Sequence, residues 1–289
     1  MTPSLGLAEL LAGDGAVITS ELVPPRGADA VAVRQQVAEL EWADAVNVTD
    51  LPQARVRMSS LAACALAVQA GARPILQMTC RDRNRLALAA DAIGAAALGV
   101  EAVLPLYGDP VPEDSPAAEI RDVDTPALVA LLGELAQGRT PDGLELDVPA
   151  RLLVGGAASP GKTDVANLQA KVDAGATFIQ TQIVLDADAF AAWLEPVVAA
   201  GITERAALLV GIAIPRSAAF AARVQGFGAL VAPDVAERAE AGDGLAVARE
   251  IVERVLALPG VRGLHLMPLG AAPGDLAGLA QHARGVVAA

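Results

Sequence analysis

The sequence predicts a single (β/α)8 barrel, a ring of eight parallel strands with a helix after each. Three observations predict it. Short β-rich apolar runs alternate eight times with longer helical stretches rich in Ala, Leu, Glu and Arg; several helices end at a glycine a few residues before the next run; and no linker-like break in composition divides the 289 residues. One domain over residues 1–289 is therefore expected. Period alone does not report closure, so an open doubly wound sheet satisfies the same alternation.

The first apolar run covers residues 16–22, and after Pro24 and Pro25 a helical pattern occupies 29–41. Run 45–48 precedes a helix over 59–71, and run 74–79 precedes one over 84–99. The fourth run, 102–106, leads into an irregular segment, 108–125, which contains Pro110, Pro112 and Pro116 and is followed by a helix. Residues 151–155 precede a helix over 164–175, and 178–182 precede one over 187–201. Run 207–212 is followed by several helical pieces through Leu258, and run 263–267 by a terminal helix from about Asp275. Gly71, Gly99, Gly175 and Gly201 stand where helix C-caps are expected.

Composition excludes several classes of function. Lys and Arg number 21 against 34 Asp and Glu, a formal charge of −13, and there are only two lysines and no basic run. Such a chain repels phosphate backbones and anionic membrane surfaces, so neither nucleic acid nor membrane is an expected partner. The apolar stretch 206–214 is about half a membrane-spanning length and ends at Pro215. No Lys or Arg precedes the first apolar residues, and Glu9 and Asp14 lie among them, which argues against a secretory signal and for a cytoplasmic protein. Cys64 and Cys80 are too few for a disulfide framework or a zinc site, so no metal is expected. With aromatics at 2%, the core must be built from Ala, Val, Leu and Ile.

In a (β/α)8 barrel, chemistry gathers at the C-terminal strand ends. The polar residues there are Glu21, Thr49 with Asp50, Gln77 with Thr79, Asp109, the loop 155–163, Gln180 with Gln182, and His265. Glu21 ends an apolar strand ahead of two prolines that fix the exit of the chain; a partly desolvated carboxyl there suits proton donation near neutral pH. Asp109 follows Gly108, whose missing side chain lets a ligand approach the backbone. It reads either as an acceptor for the N–H groups of a heterocycle or as the start of an Asp-Pro turn. In the run from Thr79 to Asn84, Arg81 and Arg83 precede a helix capped by Asp82 or Asn84, which suits an anion site or a surface Arg-Asp cluster. Residues 156–163 match the P-loop pattern G-x-x-x-x-G-K-[ST]. Against a nucleotide hydrolase, Pro160 lacks a cradling N–H and four strand-helix units precede the match, although the loop still suits another phosphate. Lys171 shares a helix face with Asn167. His265 and Cys80 read as packed structural residues, and Trp42 and Trp193 as core.

Taken together, these residues resemble a known family. Glu21-Leu22-Val23-Pro24-Pro25-Arg26-Gly27 is similar to the E-x-x-P-P-[RK] opening of methylenetetrahydrofolate reductases, and Asn47-Val48-Thr49-Asp50 to their second-strand signature. Thr79-Cys80-Arg81-Asp82-Arg83-Asn84 resembles the T-C-R-D-R-N form of the reductase module in bifunctional homocysteine methyltransferase/reductase proteins. Gly108-Asp109-Pro110, Lys171-Val172-Asp173-Ala174-Gly175-Ala176, Thr181-Gln182, and Gly211-Ile212 with Pro215 and Phe220 follow in order at compatible spacings. The resemblance implies an oxidoreductase of one-carbon metabolism that binds FAD at the strand ends. It takes hydride from NADH or NADPH and reduces 5,10-methylenetetrahydrofolate to 5-methyltetrahydrofolate for methionine biosynthesis. By the same resemblance Glu21 is the general acid, Asp109 bonds the pterin beside the flavin, and Gln182 orients the folate. Phe220 stacks on the nicotinamide or the folate side chain. Thr49, Gln77, Gly108, Asp164, Asn167, Lys171 and Ala176 fall at flavin-contact positions.

The sequence departs from the family at Gln77, where many members have His, and at Ala170, where an Arg often meets the flavin phosphates. A tyrosine usual in the fifth loop is missing, and 264–268 lacks an Asn-Arg pair. Three readings stay open: a flavoenzyme, a flavin-free reductase with direct hydride transfer, and a folate- or flavin-binding barrel that serves a methyltransferase partner. NADH or NADPH preference and a homo-oligomeric state stay open too.

Overall fold

A computed structural model describes residues 5–288; residues 1–4 and 289 of the predicted domain lie outside the described residues. The strands in chain order are β1 Val17–Leu22, β2 Ala45–Val48, β3 Pro74–Thr79, β4 Ala102–Leu106, β5 Leu153–Ala158, β6 Phe178–Leu185, β7 Ala207–Ile212, β8 Leu230–Val231 and β9 Val261–Leu266. Each of β1 to β6 pairs in parallel with its successor, β7 pairs with β6 and β9, and β9 returns to β1. Eight strands thus close a barrel, which rules out the open doubly wound sheet. The two-residue β8 lies outside the ring, against the end of β6.

The helices are α1 Leu7–Ala12, α2 Ala30–Glu39, α3 Ser60–Gln69, α4 Arg85–Ala97, α5 Thr125–Ala136, α6 Val165–Asp173, α7 Ala187–Ala199, α8 Ile202–Arg205, α9 Ala218–Gly226, α10 Val235–Glu240, α11 Gly244–Leu256 and α12 Pro273–Ala288. Side-chain oxygens at Asp29, Ser59, Asn84, Asp124, Asp164, Asp186 and Ser217 accept from first-turn amides, so most starts follow ordinary capping chemistry. Asn84, rather than Asp82, caps α4. Among the described residues no helix is long and apolar enough to cross a membrane.

Three elements differ from expectation for identifiable reasons. The fifth strand runs to Ala158 rather than ending at Gly155, because its glycines make space: a Cβ on Gly155 would lie 2.4 Å from the Phe178 ring, and one on Gly156 2.9 Å from Ile179. The sixth strand continues past Gln182 to Leu185 through a register shift between Gln180 and Ile183. Helix α1 stands ahead of the first apolar run, too short to give a periodic signal; it closes the N-terminal mouth of the barrel with Leu7 against Val17, Ala45, Ile75, Ala102, Leu104, Phe178 and Leu209. Above this apolar layer the inward positions turn polar, with Thr19, Asn47, Gln77, Gln180 and His265 all buried.

The β6 irregularity is held by β7. Gly211 N–H donates to Thr181 Oγ1 at 2.9 Å, and a Cβ on Gly211 would lie 2.4 Å from the Thr181 carbonyl oxygen. Gly211→Ala is expected to lower unfolding stability by about 1–3 kcal/mol, the usual cost of overpacking a filled interior, as read by urea denaturation.

Candidate active site

Strand alternation puts Thr19 and Glu21 on the inner face of β1, and the β1–β9 register sets Thr19 opposite His265. The His265 ring is 2% exposed, with Nδ1 2.9 Å from Thr19 Oγ1 and Nε2 3.6 Å from Glu21 Oε1. The Glu21 side chain is 18% exposed, half-buried at the mouth of the polar layer. Across the interior, Asn47 Nδ2 donates to Gln180 Oε1 at 2.6 Å, and Gln180 Nε2 donates to Thr19 Oγ1 at 3.2 Å. His265, read from sequence as a packed residue, is therefore packed and also faces the candidate acid. Only the register, which a single sequence does not print, brings the two together.

Beside this layer lies a dense charge cluster. The buried Asp50 carboxylate accepts from Thr79 N–H at 2.8 Å, Thr79 Oγ1 at 3.0 Å, Ser60 Oγ at 3.2 Å and the Arg83 guanidinium. Arg83 also donates to Asp91 at 2.8 Å. Arg81, 1% exposed, donates twice to Asp82 at 2.7 Å, to the Asp109 carbonyl at 3.0 Å and to the Leu51 carbonyl at 3.3 Å. The Asp82 bonds hold the Arg81 guanidinium above its usual range. Both arginines are spent on internal carboxylates, so the cluster is structural and the anion site that the run suggested is not formed there.

Arg81 also places Asp109. Gly108 turns the chain with φ +86°, and a Cβ there would lie 3.1 Å from both Arg81 and Thr79, so the residue must be glycine. The exposed Asp109 carboxylate accepts from Gln53 N–H at 2.7 Å. Gln53 lies in a tight turn where Leu51, Gln53 and Ala54 have φ of 45°, 58° and 53°. The loop that follows β4 is anchored by Arg121, which donates to the Tyr107 carbonyl at 2.9 Å and lies 3.8 Å above the Tyr107 ring.

The expected flavin contacts fall into two groups. Thr49 is buried with its hydroxyl unpartnered, and Lys171 is buried with Nζ bonded to the Ala157 carbonyl at 2.6 Å. Burial pushes the Lys171 ammonium below its usual range, as expected of a cation held away from water without a carboxylate. These two donors fit a bound polar, anionic group. Gln77 is buried on β3, and Ala176 is buried in the core between the end of α6 and the start of β6, at the N-terminal end of the barrel and away from the strand C-termini. Asp164 and Asn167 are exposed, and Asp164 caps α6 through the Asn167 amide at 2.8 Å. The P-loop-like segment turns inward on itself. Lys162 N–H and Thr163 N–H both donate to the Ser159 carbonyl at 2.7 Å, and Ser159 N–H donates to Thr163 Oγ1 at 2.8 Å. Those amides are not available to cradle a triphosphate.

Of the two remaining positions, Gln182 is half-buried, and its Oε1 accepts from Ile183 N–H at 2.9 Å. Phe220, 5% exposed on α9, packs into the core with Arg216 and Arg223 guanidinium carbons each 5.6 Å from the ring centroid. The geometry groups Glu21, Gln180 and His265 in one interior layer and ties Asp109 to the turn after β2.

A family model described as methylenetetrahydrofolate reductase matches residues 7–273. Among curated proteins none matches the chain. Among solved structures, an uncharacterized protein from Clostridium thermocellum that binds two copies of 5-methyl-5,6,7,8-tetrahydrofolic acid aligns at TM-score 0.71 with 11% identity, over 97% of this chain and 98% of that one. Tryptophan synthase from M. tuberculosis in its aminoacrylate-bound form aligns at TM-score 0.53 with 17% identity, over 97% and 98%. At these identities the structural likeness shows the fold alone.

Two measurements test this account of the site. Arg81→Leu is expected to lower unfolding stability by about 3 kcal/mol, because it strands Asp82 and releases both the Leu51 and Asp109 carbonyls; urea denaturation reads the loss. Burial pushes the Cys80 thiol up to about 11, with Asp124 adding to the rise, and pushes Cys64 higher still. At pH 8 neither native thiol is expected to react with an aromatic disulfide reagent, and both are expected to react once the chain is unfolded.

Proposed function

The chain belongs to the methylenetetrahydrofolate reductase family, and from that premise we propose that it reduces 5,10-methylenetetrahydrofolate to 5-methyltetrahydrofolate with hydride from NADH or NADPH. Family membership supports an oxidoreductase acting on folate; the position of Glu21 carries the finer reading. Its carboxyl stands at the mouth of a buried polar layer, half shielded from water, which is what a proton donor to a bound heterocycle requires.

The reaction joins one hydride and one proton to the substrate. Glu21 passes its proton to the nitrogen that leaves the methylene bridge, the ring opens, and the methylene carbon becomes an iminium able to accept hydride. Asp109, exposed at the strand end, accepts from the pterin N–H groups in exchange for the Gln53 amide. Gln182 offers its amide nitrogen to the folate while its oxygen stays bonded to Ile183. Phe220 on α9 is the ring that would stack on the nicotinamide or the folate side chain. When bound, FAD supplies a two-electron carrier between nicotinamide and folate. Thr49, Gln77, Gly108, Asp164, Asn167 and Lys171 would hold it. The unpartnered Thr49 hydroxyl and the buried Lys171 favour this reading.

A second reading, direct hydride transfer without flavin, is favoured by the first turns of α6. They present exposed Asp164 and Ala170, so that among the α6 residues only Lys171 offers positive charge. An anaerobic absorbance titration separates the two. A flavin band that NADH bleaches and methylenetetrahydrofolate restores supports the flavoenzyme. A colourless protein that consumes NADH only with folate present supports direct transfer. A colourless protein that consumes none overturns both in favour of a partner-dependent barrel in methyl transfer.

Glu21→Gln is expected to lower folate reduction by about 10²- to 10⁴-fold, the usual worth of a placed general acid, in steady-state turnover assays. Undiminished turnover would show that another group is the acid.

A further inference from the structure

The carboxylate assigned to the pterin is already occupied. Asp109 Oδ2 accepts from Gln53 N–H at 2.7 Å, and Gln53 belongs to a segment, 51–58, that is fixed at both ends. At one end the Leu51 carbonyl accepts from Arg81 Nη2 at 3.3 Å, the same buried guanidinium that holds the Asp109 carbonyl. At the other end Met58 N–H donates to the Pro25 carbonyl and Arg57 Nη1 to the Pro24 carbonyl, both at 2.9 Å, on the loop that leaves Glu21. Between these anchors Gln53, Arg55 and Val56 are exposed, Val56 at 85%, so little packing holds the middle of the segment. Its backbone is also unfavourable there. Leu51, Gln53 and Ala54 have φ of 45°, 58° and 53°, a region that residues with side chains rarely adopt. A strained, weakly packed turn needs a restraint. Among the described residues, the tie to Asp109 is the one hydrogen bond that residues 52–56 make outside their own turn.

We propose that residues 52–56 form a strap that occupies Asp109 in the free protein and is displaced when a pterin binds. A pterin offers an N–H and an amino group side by side, a fork that a carboxylate accepts with both oxygens. The strap stands on Oδ2, with its backbone at hydrogen-bond distance from that oxygen, so strap and fork exclude one another. In the exchange the carboxylate gives up one amide and gains two donors, while the turn is released from its left-handed conformation. The anchors at Arg81 and at Pro24 and Pro25 stay in place, so the movement is confined to the segment between them. Folate affinity is then the intrinsic affinity reduced by the fraction of molecules whose strap is open. The inference rests on the reading of Asp109 as the pterin acceptor.

The test is the affinity of 5-methyltetrahydrofolate for the full-length protein, read by titration calorimetry in variants that bias the strap either way. Gln53→Gly keeps the N–H and removes the steric cost of φ 58°, so the strap is held more firmly and Kd is expected to rise about fivefold. Gln53→Pro has no N–H and a φ fixed at about −65°, so the strap cannot reach Asp109 and Kd is expected to fall about fivefold or more. Equal affinity in the wild type and both variants, or changes in the reverse sense, overturns the strap. Asp109→Ala made in the Gln53→Pro background reads the pterin contact alone and is expected to weaken binding about tenfold or more. No loss there overturns the assignment of Asp109 instead. Hydrogen exchange of the Gln53 amide needs no variant, and so decides the matter even where Gln53→Pro does not fold. Protection in the free protein that is lost once 5-methyltetrahydrofolate saturates the site supports the proposal, and protection that is kept or increased overturns it.

Discussion

The pairing of β1 with β9 is the constraint on which the rest depends. It joins residues 246 positions apart at the Thr19–His265 contact and turns a row of parallel strands into a ring. Gly263 makes it possible, because a Cβ there would lie 1.9 Å from the Val17 carbonyl oxygen. Once the ring is closed, the inward positions of eight strands share one small interior. The lower part of it is filled by apolar side chains under the α1 cap. The upper part is polar, and each buried amide, hydroxyl and imidazole there must find its partner on another strand. The same closure that makes the polar layer affordable in free energy also assembles the candidate site.

Much of this architecture was legible in the sequence, and the limits of that reading have physical causes. The alternation of runs located the strands and the closing helices because period and glycine caps are local properties. Glu21 and Asp109 were legible because each ends a strand beside a residue, proline or glycine, that fixes the local path of the chain. His265 was legible only as a packed residue, since its role depends on which position of β1 it faces, and register is not local. Arg83 suits an anion site in the sequence because its neutralising partner Asp50 lies 33 residues away, and Arg81 because adjacency alone does not show that Asp82 folds back onto its guanidinium. Gly155 and Gly156 suggested a strand end, whereas they are the space into which Phe178, Ile179 and Lys171 fit. Helix α1, six residues long, has too few turns for a periodic signal.

Charge is arranged with similar economy. In a chain of net charge −13, the buried Arg81 has its own carboxylate, whereas Lys171 is held by a carbonyl alone. Burial without a counter-charge disfavours the ammonium, so the protein carries a cost at neutral pH that is relieved only as Lys171 loses its proton at high pH. An anionic group beside it would remove that cost. Stability is thus surrendered at the one place on α6 where a negatively charged ligand would be repaid for binding, in keeping with the usual tension between function and stability.

The order in which the chain is synthesised gives the seam a further meaning. Arg262, on β9, donates to the Leu11 carbonyl at 2.8 Å and the Leu10 carbonyl at 2.6 Å, and so ties the final strand to the α1 cap. A nascent chain without β9 therefore lacks the partner for the second edge of β1, and neither the ring nor the Thr19–His265 bond can close until that strand is made. Maturation is in this sense vectorial but indivisible: the N-terminal half waits for its last strand, during which cellular chaperones have more to shield than in a protein built from local contacts.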